Sequence, residues 1–311
     1  MTDDILPTDA ISLTDGGLET ALIFCDGIDL PDFAAFPLLD SEEGRATLAR
    51  YWQPFLELAA GTGRSFVLDT ATWRASPDWG ARLGYDAAAI LRVNRDAAAF
   101  AADLRRDAPS ATSIRINGVI GPRGDGYVPG KAMTPSEAEA YHGPQVDALA
   151  LGGVDEVTAV TMTNVPEAIG ILRAANDADL PVTIGFTVET DGRLPSGDAL
   201  ADAIATVDAA TPRPPRWFMV NCAHPEHFAH VLLGPHAARI GAIRCNASRM
   251  SHAELDAAET LDAGDPAEFG ALSAGLAHAL PNLRLIGGCC GTDHRHLVQL
   301  ANALEHRSIP C

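Results

Sequence analysis

Short runs dense in β-branched and aliphatic residues alternate with longer, Ala-rich stretches along most of the chain. The runs are "ISLTDGG" (11–17), "SFVLDTAT" (65–72), "SIRINGVIG" (113–121), "VDEVTAVTMT" (154–163), "PVTIGFTVE" (181–189), "RWFMVNCA" (216–223), "ARIGAIRCN" (238–246) and "LRLIGGCCG" (283–291). Between them, apolar residues recur at helical spacing over 44–60, 87–106 and 166–176, with a last helix near 295–306. Strands that are apolar at nearly every position are buried on both faces, which points to a parallel sheet covered by helices. Eight such strand–helix units in 311 residues predict a single (β/α)8 TIM barrel over 1–311, with a doubly wound open sheet as the alternative. No Pro-rich linker, low-complexity tract or charge block divides the chain. The segment 122–145 reads as a long loop running into a helix. It follows the third strand at its C-terminal end, where barrels carry their site loops.

Polar residues interrupt this pattern at the strand ends. Asp15-Gly16-Gly17 ends the first run, Asp69, Thr70 and Thr72 the second, Asn221-Cys222 the sixth and Gly287-Gly288-Cys289-Cys290-Gly291 the eighth, while Asn117 lies in the third. In a closed barrel these ends converge on one mouth. The adjacent pair Cys289–Cys290 is a poor structural disulfide, because neighbouring cysteines rarely reach the required geometry. A metal, a redox pair and coincidence are the readings left. With Cys222 as a third thiolate, the set describes a catalytic zinc site with an open fourth position. The flanking glycines are expected to let the backbone bend so that both side chains meet one ion. Cys25, Cys245 and Cys311 read as bystanders, and His224, His227, His294 and His296 as ordinary histidines, outer-sphere partners of the cysteines or spare ligands. Of the four tryptophans, Trp73 is the one expected near the site.

Composition narrows the function classes. A formal charge of −19 argues against nucleic acid, whose phosphates need a basic face. No apolar run approaches the roughly 18 residues of a membrane span, and the acidic start "MTDDILPTDA" has no secretory n-region. The cytoplasm is the expected location. Six cysteines in a chain this long are too sparse for a disulfide scaffold, so clustered cysteines there read as metal-binding or catalytic.

The motifs "GGCCGT" (287–292), "VNC" (220–222), "DGG" (15–17), "DTATWRAS" (69–76), "NGVIGPRGDGY" (117–127) and "FTVETDGRLPSGDAL" (186–200) together resemble the homocysteine S-methyltransferase family, zinc-dependent thiol methyltransferases on a (β/α)8 barrel. The resemblance runs over roughly 11–306. It implies that Cys222, Cys289 and Cys290 bind zinc and that Asp15, Gly16 and Thr70 contact the thiol substrate. Asp15, Thr70 and Asn117 are the candidate catalytic residues. It implies a small onium methyl donor of the S-methylmethionine, S-adenosylmethionine or betaine type, a thiol acceptor such as homocysteine, and a place in methionine biosynthesis. Family members usually carry a Glu-Thr pair at the end of the fourth strand, the Glu holding the homocysteine amino group. Here "AVTMTNVPEA" (159–168) puts Val160 at the Glu and Thr161 at the Thr, so Thr161 is a candidate substrate contact and Glu189 the candidate replacement for the lost acid. Trp73, followed by Arg74, stands where the betaine-using branch has an aromatic pair, and one aromatic face can still meet an onium methyl group. Two other readings stand beside this one: a metal-free thiol-redox protein using Cys289–Cys290, and a non-catalytic barrel that has lost acceptor binding.

Overall fold

The computed structural model describes residues 11–109, 112–130 and 133–305. Cys311 and the first ten residues lie outside them. Eight parallel strands close into a barrel in chain order: β1 (Ser12–Leu13), β2 (Phe66–Asp69), β3 (Ile114–Ile120), β4 (Glu156–Met162), β5 (Val182–Phe186), β6 (Trp217–Asn221), β7 (Ile240–Cys245) and β8 (Leu285–Gly288). Each is followed by an outer helix: α1 (Glu42–Thr62), α2 (Ala87–Asp107), α3 (Pro135–Gly152), α4 (Val165–Asp177), α5 (Leu200–Asp208), α6 (Pro225–Phe228), α7 (Pro266–Ala279) and α8 (His294–Glu305). The closed barrel, not the open sheet, is the architecture.

Local chemistry sets the helix ends. Ser41 accepts from Gly44 N–H to cap α1, and Gly63 leaves it at φ 65°. Thr134 and Glu137 form a reciprocal capping box that ends the loop after β3 and starts α3. Alternate strand residues face opposite ways. Ile116, Ile120, Phe218, Val220, Ile243 and Ile286 pack into the large core shared with the helices. Val119, Val160, Met219 and Ala242 form a second, smaller cluster with Trp73 and Leu285 against it. This smaller cluster lies on the strand faces opposite the helices, which fills the barrel as side chains fill such interiors.

One strand is shorter than its sequence suggests. The run 11–17 pairs only through Ser12 and Leu13, to Leu285 and Ile286 on β8 and, at Leu13, to Phe66 on β2. Beyond Leu13 the pairing to β2 stops, while backbone bonds to β8 continue: Thr14 N–H donates to the Ile286 carbonyl (3.0 Å), and the Asp15 carbonyl accepts from Gly288 N–H (2.8 Å). Thr14 Oγ1 instead donates to the Val67 carbonyl (2.9 Å), and Asp15 turns into the barrel mouth.

Candidate active site

The C-terminal strand ends surround a cavity of about 180 Å³ lined by Asp15, Gly16, Glu19, Thr70, Tyr127 and Val160 among others, with Cys222, Cys289 and Cys290 at its wall. The three sulfurs lie within 4.8 Å of one another, with Cys222 and Cys290 Sγ 3.4 Å apart. Cys222 sits at φ 57°, in the left-handed region that non-glycine residues rarely enter. That turn at the end of β6 brings its side chain towards the β8 pair. The glycines beside the pair do something different from the expected bending. Gly288 has an ordinary φ, but a Cβ there would lie 2.0 Å from Thr292 Oγ1. Gly291 alone among the glycines of this motif takes a positive φ, 79°. The motif's glycines therefore serve mainly close packing of backbone.

Hydrogen bonds from Cys222 and then Cys290 pull the Cys289 thiol well below its usual range; burial opposes them and the Arg244 charge adds to them. A shared thiolate among clustered thiols is the donor chemistry a soft divalent cation selects. The three residues fit a zinc ion in ligand type and in spacing. None of the four histidines flanking the motifs joins this group. His224 instead caps α6 through Glu226 N–H, and His296 bonds the Ala263 carbonyl.

Behind the sulfurs lies a buried charge network. Arg244 on β7 contacts both Asp15 and Asp69, and donates to the Gly16 carbonyl (3.1 Å) and the Gly288 carbonyl (3.0 Å). Trp52 Nε1 donates to Asp15 Oδ2 at 2.9 Å. Burial pushes the Asp15 carboxyl up to about 7 against the pull of Arg244. For Arg244 burial works against the charge, but Asp69 and then Asp15 outweigh it and keep the guanidinium ionised.

The remaining sequence candidates divide by position. Thr70 lines the cavity; its Oγ1 accepts from Val119 N–H (3.0 Å) and shares a hydrogen bond with Thr72 (2.7 Å). Thr161 also lines it, at φ 65°, held by Asn221 through both its N–H (3.0 Å) and its hydroxyl (2.9 Å). Trp73 lines it too, but Arg74 lies 4.1 Å from its ring centroid and 3.6 Å from that of Trp79. Arg74 thus stays at the site. Asn117 does not reach the cavity lining. It lies within β3, opposite Asp69 in register, and donates to Asp69 Oδ1 (2.7 Å) while accepting from Thr158 (2.8 Å). Its role is to hold Asp69. Glu189 is also absent from the lining. It lies three residues beyond the end of β5 and its carboxylate meets His252 Nδ1 at 3.1 Å.

Four participants are not among the sequence candidates: Arg244, His252, Glu19 and Tyr127, the last residue of the motif "NGVIGPRGDGY". Tyr127 Oη is 3.2 Å from Cys222 Sγ and 3.5 Å from Cys290 Sγ. Its ring stacks on His252 at 4.0 Å, and His252 Nε2 lies 3.0 Å from the Cys222 carbonyl. For Arg244 a signal exists, since a lone arginine inside the apolar run "IGAIRCN" must be buried and therefore paired. For Tyr127 and His252 the contact is tertiary and leaves no local trace.

A closed parallel barrel with three cysteines at its C-terminal mouth that could hold a metal ion defines the class of the site. The chain matches the homocysteine S-methyltransferase family over residues 12–304 and belongs to that family of methyltransferases. It is 31% identical over 166 residues to methionine synthase of Mycobacterium leprae, a match that covers 49% of this chain and 13% of that far longer protein. Among solved structures it is similar in fold to the homocysteine methyltransferase MmuM of Escherichia coli. The metallated form superposes with a TM-score of 0.71 at 21% identity, covering 94% of this chain and 96% of that one. The oxidized form gives 0.73 at 22% identity, covering 96% of each.

Proposed function

We propose that this protein transfers a methyl group from a small onium donor to a thiol acceptor of the homocysteine type, with zinc held by Cys222, Cys289 and Cys290. The observation that carries this reading is the convergence of the three sulfurs within 4.8 Å on a cavity that also presents Asp15, Gly16 and Thr70. When bound, zinc would supply the chemistry a free thiol lacks, keeping the acceptor sulfur as a thiolate at neutral pH. The acceptor sulfur gains the methyl group as the donor's onium bond breaks, and the electron pair of that bond leaves with a neutral donor. The chain's residues therefore have no proton to move at carbon, and their work is orientation and exclusion of water. Thr70 and the β1 turn offer polar contacts to the acceptor. Trp73 and Tyr127 wall the cavity with aromatic surface suited to an onium methyl group. The redox alternative built on Cys289–Cys290 leaves Cys222 idle, whereas Cys222 Sγ approaches Cys290 Sγ to 3.4 Å.

Metal analysis of the purified chain is expected to give about one zinc per chain, as a tetrahedral thiolate site takes one ion, and Cys222→Ser is expected to lose most of it. A screen crossing S-methylmethionine, S-adenosylmethionine and betaine with homocysteine and other thiols should then show methyl transfer by the zinc-loaded wild type alone. Wild-type zinc loading without transfer from any donor would reject the activity, and full zinc retention in Cys222→Ser would reject the ligand set.

A further inference from the structure

The cavity distributes its charge unevenly. On the β4 side Val160 faces it, packed with Val119, Met219 and Ala242 into an apolar wall. The acids gather on the other sides: Asp15, Glu19, Asp69, Asp125 and Asp256, against Arg74 and Arg244. Asp15 and Asp69 are taken up by Arg244. Asp125 is half exposed and spends Oδ1 on the backbone of its own turn, at Tyr127 and Val128. Asp256 is exposed. Glu19 differs from all four. It is partly buried and lines the same cavity as Asp15, Arg244 and Cys289. Among the described residues no cationic side chain pairs with it.

We propose that Glu19 determines acceptor specificity by binding the ammonium group of an amino-thiol. The inference rests on the reading of the cavity as a thiol methyltransferase site and adds the class of acceptor: a thiol bearing an ammonium a few bonds from sulfur. The acid that would meet this ammonium from β4 is replaced by Val160, and Glu189 is turned to His252. Glu19 supplies the missing charge from the turn after β1, beside the Asp15-Gly16 contact. A carboxylate desolvated without a counter-ion is unfavourable, and a cation arriving with the substrate relieves it. The two arginines of the cavity do not fill this role, because Arg244 is committed to the aspartates and Arg74 to the Gly124 carbonyl and the tryptophan rings.

The test uses the full zinc-loaded chain and three thiols in titration calorimetry: homocysteine, 4-mercaptobutanoate, which lacks the amino group, and 3-aminopropanethiol, which lacks the carboxylate. Wild type is expected to bind homocysteine about ten- to a hundredfold more tightly than 4-mercaptobutanoate, the range of one charge-assisted contact. Glu19→Gln, nearly isosteric and checked for zinc content and circular dichroism, should abolish that ratio while leaving 4-mercaptobutanoate binding unchanged. It should weaken 3-aminopropanethiol by a similar factor. Glu19→Asp, which keeps the charge on a shorter stem, should retain part of the preference. A ratio that survives in Glu19→Gln would overturn the assignment and leave the methyltransferase reading standing. Equal wild-type affinity for homocysteine and 4-mercaptobutanoate would do the same, as would a Glu19→Gln effect confined to the donor's KM. If zinc-loaded wild type bound none of the three thiols, the reading of the site would fall together with this assignment.

Discussion

At the scale of single residues the site turns on a charge that the barrel interior would not tolerate alone. Arg244 is 8% exposed, and its guanidinium bridges Asp15 and Asp69, 2% and 7% exposed. A buried pair of this kind is weak as a source of stability, but removing one partner strands the other. Arg244→Met keeps an unbranched, largely apolar stem, removes the guanidinium, and leaves two carboxylates facing each other at the cavity. The expected loss is about 3–5 kcal/mol of unfolding free energy in urea titration. The effect should depend on pH with a definite sign. Without the guanidinium the Asp15 carboxyl would be pushed up further, so both proteins lose stability alike as pH rises from the unfolded carboxyl range, ~4, and above the wild-type value of about 7 only the variant keeps losing it. Its deficit against wild type should therefore be steady below that value and grow above it. Asp15, already pushed up to about 7 in the wild type, is the group expected to take the proton. A deficit under ~1 kcal/mol, or one that shrinks with rising pH, would show that Arg244 does not carry this pair.

At the scale of elements the strand ends are set by one glycine and one asparagine. Asn221 on β6 reaches across β5 to Thr161 on β4, bonding both its N–H and its hydroxyl. It can do so because β5 offers Gly185 at the crossing, where a Cβ would lie 2.8 Å from Asn221 Oδ1 and 2.5 Å from Met219 Cε. Two residues of this layer, Thr161 and Cys222, hold positive φ, a conformation costing of order 1–3 kcal/mol each and kept here by such surrounding bonds. Gly185→Ala should force Asn221 aside and destabilise the barrel by about 1–3 kcal/mol. It should also weaken zinc retention, because Cys222 follows Asn221 directly; an unchanged zinc affinity would separate the bridge from the metal site. Much of this level is legible in the sequence. All eight strands are visible because parallel strands buried on both faces are apolar throughout, and the outer helices because their apolar spacing is regular. The cysteines are visible because adjacent thiols have few structural uses. The early end of the β1–β2 pairing after Leu13 is not legible, since the side chains of Thr14 and Asp15 take tertiary partners there. Nor is the turn of Glu189 towards His252, because an acid beyond a strand end shows its charge in the sequence but not its direction.

At the scale of the molecule the cysteines tie together units the chain keeps apart. Cys222 follows β6 and the pair follows β8, with β7 between them, beside the seam where the short β1 closes the barrel against β8. A zinc ion at this point would cross-link the last third of the barrel. The core does not depend on it. The large apolar cluster runs from Leu13 to Leu304 through every outer layer, so the metal-free chain is expected to stay folded, unlike small domains whose folding energy is metal binding. Mass action then sets the size of the effect. Free zinc at about a thousand times its dissociation constant stabilises a native state that alone binds it by ~4 kcal/mol. With an unfolding entropy of ~2.1 cal/mol/K per residue, a chain of this length should gain about 6 °C in Tm. Chelation of wild type should remove that gain without unfolding the protein at 25 °C, as read by circular dichroism and scanning calorimetry. Cys222→Ser should melt at the same temperature with and without zinc. Unfolding of the wild type on chelation at 25 °C would make the metal a structural element of the barrel, and a wild-type Tm indifferent to zinc would remove it from these three cysteines altogether.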